Sequence, residues 1–587
     1  MIDGLPARQE RLGASARPVV MPARPSLLNG RTLWLLAFLV AIVWSVAGAG
    51  VFEGEIVNEG GWRLVGQFVA AATRPDLGAD ILALAIPSTL VTLAYAVCGT
   101  ALCVLIGLVG GIFSSQVWWQ SALGRTGGGT TRRRLYMAPW LVIRGALAVP
   151  RAIHEVIWGL FFINIFGLDP LSAVLAIAIP FGAITAKVYA DILDETPRAA
   201  FHALQNSGAG PFKAMLYSLL PQAFPDLLSY AFYRLECAIR AAAILGLIGA
   251  GGLGYQVLLS LQSLRYEQVW SFLYMLILLN GVIDGWSSIL HRRLNVGRHG
   301  DYRTGEVSTN RRTRTGDPFA RFSMLVSVLL VPFSFWYVQA DYSKLFGERA
   351  GRLLGQFAGD LFPPNLDAGL LSRLFDLSLQ TLGMSILAIA IAGLGGLVLS
   401  YPAAANLSLP GGIFDAGARS GVLSTVLGSV TLLLSRGALL VSRAMSEGVW
   451  ALLVLFVFFP GILPGAIALG LYNLGVLGRL MAEVTENVDS RPLMALKGQG
   501  ATNAQVFLYG VLPQTLTKNL AYILYRWEVC MRATVVVGLV GAGGLGHLLG
   551  DQLASFDYSS LLTSLLFYIG LTFLVDMLSA AVRRVVR

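Results

Sequence analysis

Two apolar stretches of this chain carry a glutamate between arginines. Residues 234–254 read RLECAIRAAAILGLIGAGGLG, and residues 526–546 read RWEVCMRATVVVGLVGAGGLG. Arg234, Glu236 and Arg240 recur as Arg526, Glu528 and Arg532, at a constant offset of 292. Glu236 and Arg240 are four residues apart, which places them on one helix face, and Glu528 and Arg532 copy them. Arg151 with Glu155, and Arg443 with Glu447, show the same spacing in a second apolar pair, and the spacing predicts the same shared face. An arginine or aspartate at mid-bilayer costs roughly 2.5–3.5 kcal/mol, so these eight residues are expected to face a bundle interior and pair. Two chemistries are open. The pairs could be internal salt bridges that fix helix packing, or some arginines could line a path, their planar forks matching a tetrahedral oxyanion.

The elements that must hold these charges are membrane helices. The chain is 55% hydrophobic and only 13% charged, with a mean hydropathy of +0.67, whereas soluble domains carry about 25% charged residues. The expected fold is all-α and polytopic, with about twelve spans in two pseudo-symmetric six-helix halves. Candidate spans lie at about 33–50, 87–112, 140–166, 171–190, 226–248 and 269–290, then at 322–340, 378–402, 434–459, 462–482, 518–540 and 560–582. A basic tail covers 1–31, the first unit 32–291, an Arg-rich linker 292–321 and the second unit 322–587. No cleavable signal is expected, since a polar tail precedes the first apolar run. With the tail in the cytoplasm, the basic 125–134 loop, the linker and the C-terminus fall on the same side and the acidic loops outside. Both termini are therefore expected in the cytoplasm of a cell membrane, and the net charge of +10 reads as topology rather than as a nucleic-acid surface. Cys98, Cys103, Cys237 and Cys530 fall in apolar segments, as small buried hydrophobes would.

The offset recurs along both units. Arg144 matches Arg436, Trp158 matches Trp450, Thr89 matches Thr381 and Lys187 matches Arg479. Such duplication implies a pseudo-two-fold axis along the membrane normal with a shared path between halves. The polar stretch between the fourth and fifth spans reads DETPRAAFHALQNSGAGPFKAMLYSLLPQAFP, and its twin reads ENVDSRPLMALKGQGATNAQVFLYGVLPQTLT. Thr196 is expected to cap a short helix with Pro197 at its first position, and Gly208 to end it. A second amphipathic helix is expected to end at Leu220-Pro221, with Gly500 and Leu512-Pro513 as twins.

This loop resembles the coupling loop of ABC-importer membrane subunits, which docks into a cleft on the ATPase. The matching positions are Ala203, Gly208, Leu220 and Pro221, then Ala495, Gly500, Leu512 and Pro513; the family's glutamate is His202 in one half and Met494 in the other. The RxExxxR…GLxGAGGLG and RAxxExxW patterns are similar to those of the phosphonate-importer permease, here two units fused in tandem. The resemblance implies a type I ABC importer permease fold and ATP-driven import of phosphonate or a related small phosphorus oxyanion. It implies two ATPase subunits, which use the ATP and Mg, and an extracytoplasmic binding protein that delivers substrate to loops at about 51–80 and 339–376. The path candidates are Arg240, Arg532, Arg151, Arg443, Glu236, Glu528, Glu155, Glu447, Arg234 and Arg526.

Other chemistries find no footing. GAGGLG matches GxGxxG, but no strand–turn–helix unit surrounds it, so it is expected to be a break or a close-packing point. No GxxxxGK[ST] occurs, so the chain is expected not to hydrolyse ATP itself. HExxH, CxxC and GxSxG are also absent from the sequence, and no bound metal or cofactor is expected. His154 stands where the twin has Ser446, which favours packing over chemistry. The alternative is a twelve-span secondary transporter driven by an ion gradient. A membrane-embedded enzyme would need a repeated nucleophile or ligand set, and none is found.

Overall fold

The computed structural model describes residues 30–50, 57–123, 137–295, 318–415 and 422–586. The expected tail up to residue 29, the 125–134 loop and most of the linker lie outside the described residues. Within lipid every backbone polar group must be satisfied internally. Accordingly the described residues form helices, with one isolated bridge between Val57 and Phe458.

The first half contains α1 (Gly30–Gly48), α2 (Gly61–Ala71), α3 (Ala79–Ser114), α4 (Ala138–Ala152), α5 (Glu155–Phe166), α6 (Pro170–Glu195), α7 (Leu220–Leu245), α8 (Gly252–Gln262) and α9 (Tyr266–Asn295). The second contains α10 (Pro318–Val338), α11 (Glu348–Leu361), α12 (Ala368–Ser400), α13 (Val422–Ala444), α14 (Glu447–Val457), α15 (Ile462–Glu486), α16 (Leu512–Val537), α17 (Gly544–Ala554) and α18 (Tyr558–Val586). Among the described residues eight helices are long and apolar enough to cross a membrane, or up to eleven if each sharply bent pair counts as one span. The apolar part of α1, Thr32–Gly48, is shorter and occupies the place of the first span. The acidic loops hold short amphipathic helices, α2 and α11, rather than open chain.

In each half the second and fourth spans form the tightest pair, α3 with α6 and α12 with α15. Small residues permit it: a Cβ at Gly107 would lie 2.4 Å from Thr185 Cγ2, and one at Gly396 would lie 3.1 Å from the Gly478 backbone nitrogen. The first helix of each half crosses over. α1 packs on α12 of the second half, with Phe38 edge-on to Trp527 at 5.7 Å, and α10 packs on α3 of the first. A six-span unit is thus not closed on itself.

Four expectations change. The third span is not one helix: α4 and α5 meet at 85° across Ile153 and His154, where His154 is extended. In the twin, Ser446 is also extended between α13 and α14. Arg151 and Glu155, and Arg443 and Glu447, therefore lie on either side of a break and not on one helix face. Thr196 does not cap the coupling helix. Its hydroxyl donates to the Ile192 carbonyl at 2.8 Å, closing α6, and the helix Ala199–Asn206 has Arg198 at its N-cap. Leu220-Pro221 does not end a helix either. A π-turn at Met215–Leu219 runs straight into α7, as Phe507–Val511 runs into α16. The wider i→i+5 turn accommodates a proline, whose nitrogen has no hydrogen to donate. Finally, the structural twin of Thr381 is Thr92, not Thr89. Thr92 Oγ1 accepts from the Leu253 N–H at 2.8 Å and Thr381 Oγ1 from the Leu545 N–H at 2.9 Å. The second spans are thus in register at 289 rather than 292.

Candidate translocation path

The GAGGLG segments are breaks. A π-turn at Gly246–Ala250 follows α7, Gly249 takes φ +99°, and α8 leaves at 55°. In the twin Gly541 takes φ +119° and α17 leaves at 70°. The returning chain then touches its own helix: a Cβ at Gly254 would stand 1.8 Å from the Ala243 carbonyl oxygen. Only glycine permits both the left-handed turn and that approach. Just before the breaks, Val156, Ile244 and Val536 form an apolar cluster between the halves. A cavity of 210 Å³ lined also by Leu247, Ile248, Leu539 and Val540 adjoins it. Ile244, Leu247 and Ile248 match Val536, Leu539 and Val540 at the 292 offset, so the plug straddles the pseudo-two-fold axis.

At the opposite end of α7 and α16 lie the two polar loops. Gly208 ends the helix Ala199–Asn206 at φ +92°, and Gly500 ends the helix Ser490–Gly498 at φ +84°. Ala209 N–H reaches the Leu204 carbonyl at 3.0 Å, and Ala501 N–H reaches the Leu496 carbonyl at 3.1 Å, so both are left-handed C-caps. Each helix sits on its own small core, Phe201 with Met215 and Leu219 in one half and Leu493 with Val506 and Val511 in the other. His202 and Ala203, like Met494 and Ala495, face outward and exposed. The carboxylates of Asp194 and Glu486 tie the chain after the second spans to these loops. Asp194 accepts from the Gln116 and Val117 N–H groups at 3.1 and 3.0 Å, and Glu486 from the Ala405 N–H at 2.8 Å.

Between plug and loops lies a charged seam. Arg240 approaches Glu236 at 3.7 Å and donates to the Tyr472 hydroxyl of the other half at 2.7 Å. Its buried Nε has no hydrogen-bond partner among the described residues. Arg443 reaches across to Glu236 at 3.9 Å and to Asp284 at 3.3 Å. Arg479 reaches Asp284 at 2.9 Å. The second copy is wired differently. Glu528 pairs with Arg583 at 2.5 Å, not with Arg532. Arg532 instead donates to the backbone carbonyls of Glu528 and Arg151, both at 3.3 Å. Arg526 donates to Asn473 Oδ1 at 2.5 Å and lies over the Tyr472 ring, while Arg234 is held by the Tyr230 hydroxyl and by the rings of Phe181, Tyr230 and Tyr233.

Universal pairing of the eight charges therefore does not hold. Among the described residues Glu447, 5% exposed, makes no ion pair and Glu155 pairs only with His154, at 3.4 Å. His154 Nδ1 accepts from the Val156 N–H at 3.3 Å and caps α5, a structural role its twin Ser446 does not copy. Asp284, Tyr472, Asp576 and Arg583 were not among the candidates. Asp284 and Asp576 share the 292 offset inside apolar helices and were legible by that test. The described residues contain no cluster of His, Cys, Asp and Glu fit for a metal ion.

On the far side, Lys344 of the second half pairs with Asp169 in the turn before α6. Hydrogen bonds from Ser343 hold the nearby Asp341 carboxyl below its usual range.

The family described as Binding-protein-dependent transport system inner membrane component matches residues 135–296 and 408–587, over half of the sequence. The chain belongs to this family. It carries the family domain twice, as two halves of one all-helical, membrane-spanning transport subunit. It is similar to the Phosphate-import permease protein PhnE of Mycolicibacterium smegmatis, at 26% identity over 75% of this chain and 77% of that one. It is also similar to the Phosphite transport system permease protein PtxC of Stutzerimonas stutzeri, at 33% identity over 39% of this chain and 77% of that one. The Putative cryptic phosphonate transport system permease protein PhnE2 of Escherichia coli strain K12 is 35% identical over 20% of this chain and 97% of that one. The two matches to the family domain, at 135–296 and 408–587, agree with two permease units fused in one chain.

Proposed function

We propose that the chain is the permease of an ATP-driven importer for a small phosphorus oxyanion such as phosphonate, phosphate or phosphite. The observation that carries this reading is the arginine-rich seam between two pseudo-equivalent halves of a binding-protein-dependent permease. The seam is closed by an apolar plug toward the GAGGLG ends. Relatives named for phosphate, phosphite and phosphonate transport support the substrate class. The guanidinium groups of Arg240, Arg532, Arg151, Arg443 and Arg526 supply donors that suit an oxyanion, while Arg234 is enclosed by aromatic rings.

The loop end faces the cytoplasm, where two ATPase subunits grip Ala199–Asn206 and Ser490–Gly498. Closure of the ATPases on ATP draws these helices together and rocks the halves, opening the plug to the outside. Hydrolysis resets the path inward. ATP and Mg stay with the ATPases, since the chain has no phosphate-binding loop of its own. The docking faces are not identical: the second has a groove of 490 Å³ between Pro492, Ala495 and Gln499 on one wall and Tyr509 and Pro513 on the other. An external binding protein delivers the anion over α2 and α11. The family match to binding-protein-dependent permeases favours the ATP-driven reading over the ion-gradient alternative.

The test is to purify the chain with its ATPase in lipid and measure ATP hydrolysis with and without liganded binding protein. Stimulation by the liganded receptor supports the reading. Failure of the ATPase to associate, or indifference to the receptor, counts against it.

A further inference from the structure

The repeat matches Asp284 with Asp576, Arg443 with Arg151, Arg479 with Lys187 and Glu236 with Glu528. Two crossed clusters follow, each taking its acids from one half and its cations from the other. The first is closed, because Asp284 Oδ2 accepts from both Arg443 at 3.3 Å and Arg479 at 2.9 Å. The second is open. Asp576 Oδ1 is buried without a hydrogen-bond partner among the described residues, and Glu528 is taken by Arg583. Among the described residues the side chains of Arg151 and Lys187 make no hydrogen bond or ion pair, although both lie within electrostatic reach of Asp576. Arg532 is also near; of the acids that reach these cations, Asp191 is paired with Arg144 and Glu528 with Arg583, which leaves Asp576 as the carboxylate with no ion pair among the described residues. Lys187 is exposed although it sits in the most buried part of its half, on α6. Uncompensated cations in a span are costly and mark ion or substrate paths.

We propose that Arg151 and Lys187 form a station for a small doubly charged oxyanion on its way to the loop end. Asp284 keeps the twin station at Arg443 and Arg479 filled, so the anion leaves through one side of a pseudo-symmetric path. The Asp284 carboxylate shows the coordination: one oxygen bridging two cations on neighbouring helices. Phosphate, phosphite and methylphosphonate present the same kind of oxygen. The inference rests on the import reading above and deepens it.

Equilibrium binding of inorganic phosphate to the full chain with its ATPase in nanodiscs tests it, alongside ATP-driven uptake by the same complex reconstituted in sealed vesicles. One phosphate per chain is expected in the wild type, and Arg151→Gln with Lys187→Gln should weaken it by about tenfold or more. Arg151→Lys should recover part of the affinity, which a merely misfolded chain would not. Asp284→Asn should release the twin cations and add a second equivalent. Unchanged affinity in the double variant, or unchanged stoichiometry in Asp284→Asn, overturns the station. If uptake by the wild type continues in that case, the import reading stands without it. If the wild type takes up no phosphorus oxyanion at all, the import reading itself has failed.

Discussion

Asp284 Oδ2 lies 2.9 Å from Arg479 Nη1, and the two residues belong to different halves of a duplicated chain. With Arg443 on the same oxygen, this acid is a fastening across the seam. Its side chain is 25% exposed and that of Arg479 37%, so solvent weakens the attraction. A double-mutant cycle of Asp284→Ala and Arg479→Ala should still return a coupling energy of about 0.5–3 kcal/mol in thermal denaturation of the lipid-embedded chain. Strict additivity would show that the contact does not fasten the halves.

The loop glycines are testable by conformation alone. Nothing lies within 4 Å of a Cβ built at Gly208 or Gly500, so a substitution there acts only through φ values of +92° and +84°. Gly208→Val with Gly500→Val should cost roughly 1–2 kcal/mol at each site and uncouple the ATPase from transport. Asn, which tolerates the left-handed region, should be milder than Val. Equal coupling in Gly, Asn and Val variants would remove these turns from force transmission.

At the other end, sterics dominate. Gly254→Ala should fail to assemble, since its Cβ would stand 1.8 Å from the Ala243 carbonyl oxygen, while Gly281→Ala, with open space around it, should behave as wild type. Thr92→Val should leave the Leu253 N–H without a partner and lower stability by about 1–3 kcal/mol. Thr381→Val should do the same to Leu545, while Thr89→Val should not touch either break. Melting temperatures of the three valine variants check this. A Thr89 effect as large as that of Thr92 would restore the 292 register in the second span.

Much of this architecture was legible in the chain itself. The apolar runs gave the helices and the repeat gave the halves. Gly208 and Gly500, equally placed before Pro221 and Pro513, gave the two C-caps. GAGGLG, lacking a strand before it, was rightly a break. What stayed hidden had weak local signals. The run from 140 to 166 averages apolar although it holds Arg144, Arg151, His154 and Glu155, so hydropathy reads it as one span and misses the bend at His154, for which Pro150 was the local signal. The exchange of α1 and α10 depends on long-range packing that leaves no mark on a helix's own composition. Four-residue spacing promised Glu528 to Arg532, but Arg583 on α18, a helix closer in space than in sequence, took the carboxylate. The register slip between α3 and α12 passed unseen because threonines at 89 and 92 both fit an apolar helix.

The arginines facing the seam have separable roles. Arg234, buried among three rings, should be structural, and Arg234→Gln should lower expression and melting temperature. On the proposed reading Arg240 and Arg532 border the path, and Arg240→Gln with Arg532→Gln should then abolish oxyanion-stimulated transport while leaving ATPase assembly intact. Co-purification of the ATPase with each variant separates the two outcomes. Wild-type transport in the double variant would make these residues packing elements only.

Uptake in sealed vesicles bears most directly on the whole reading. Vesicles holding the chain, its ATPase and a liganded binding protein should accumulate phosphonate, phosphate or phosphite only when ATP is supplied. Accumulation driven by a proton or sodium gradient without the ATPase would contradict it.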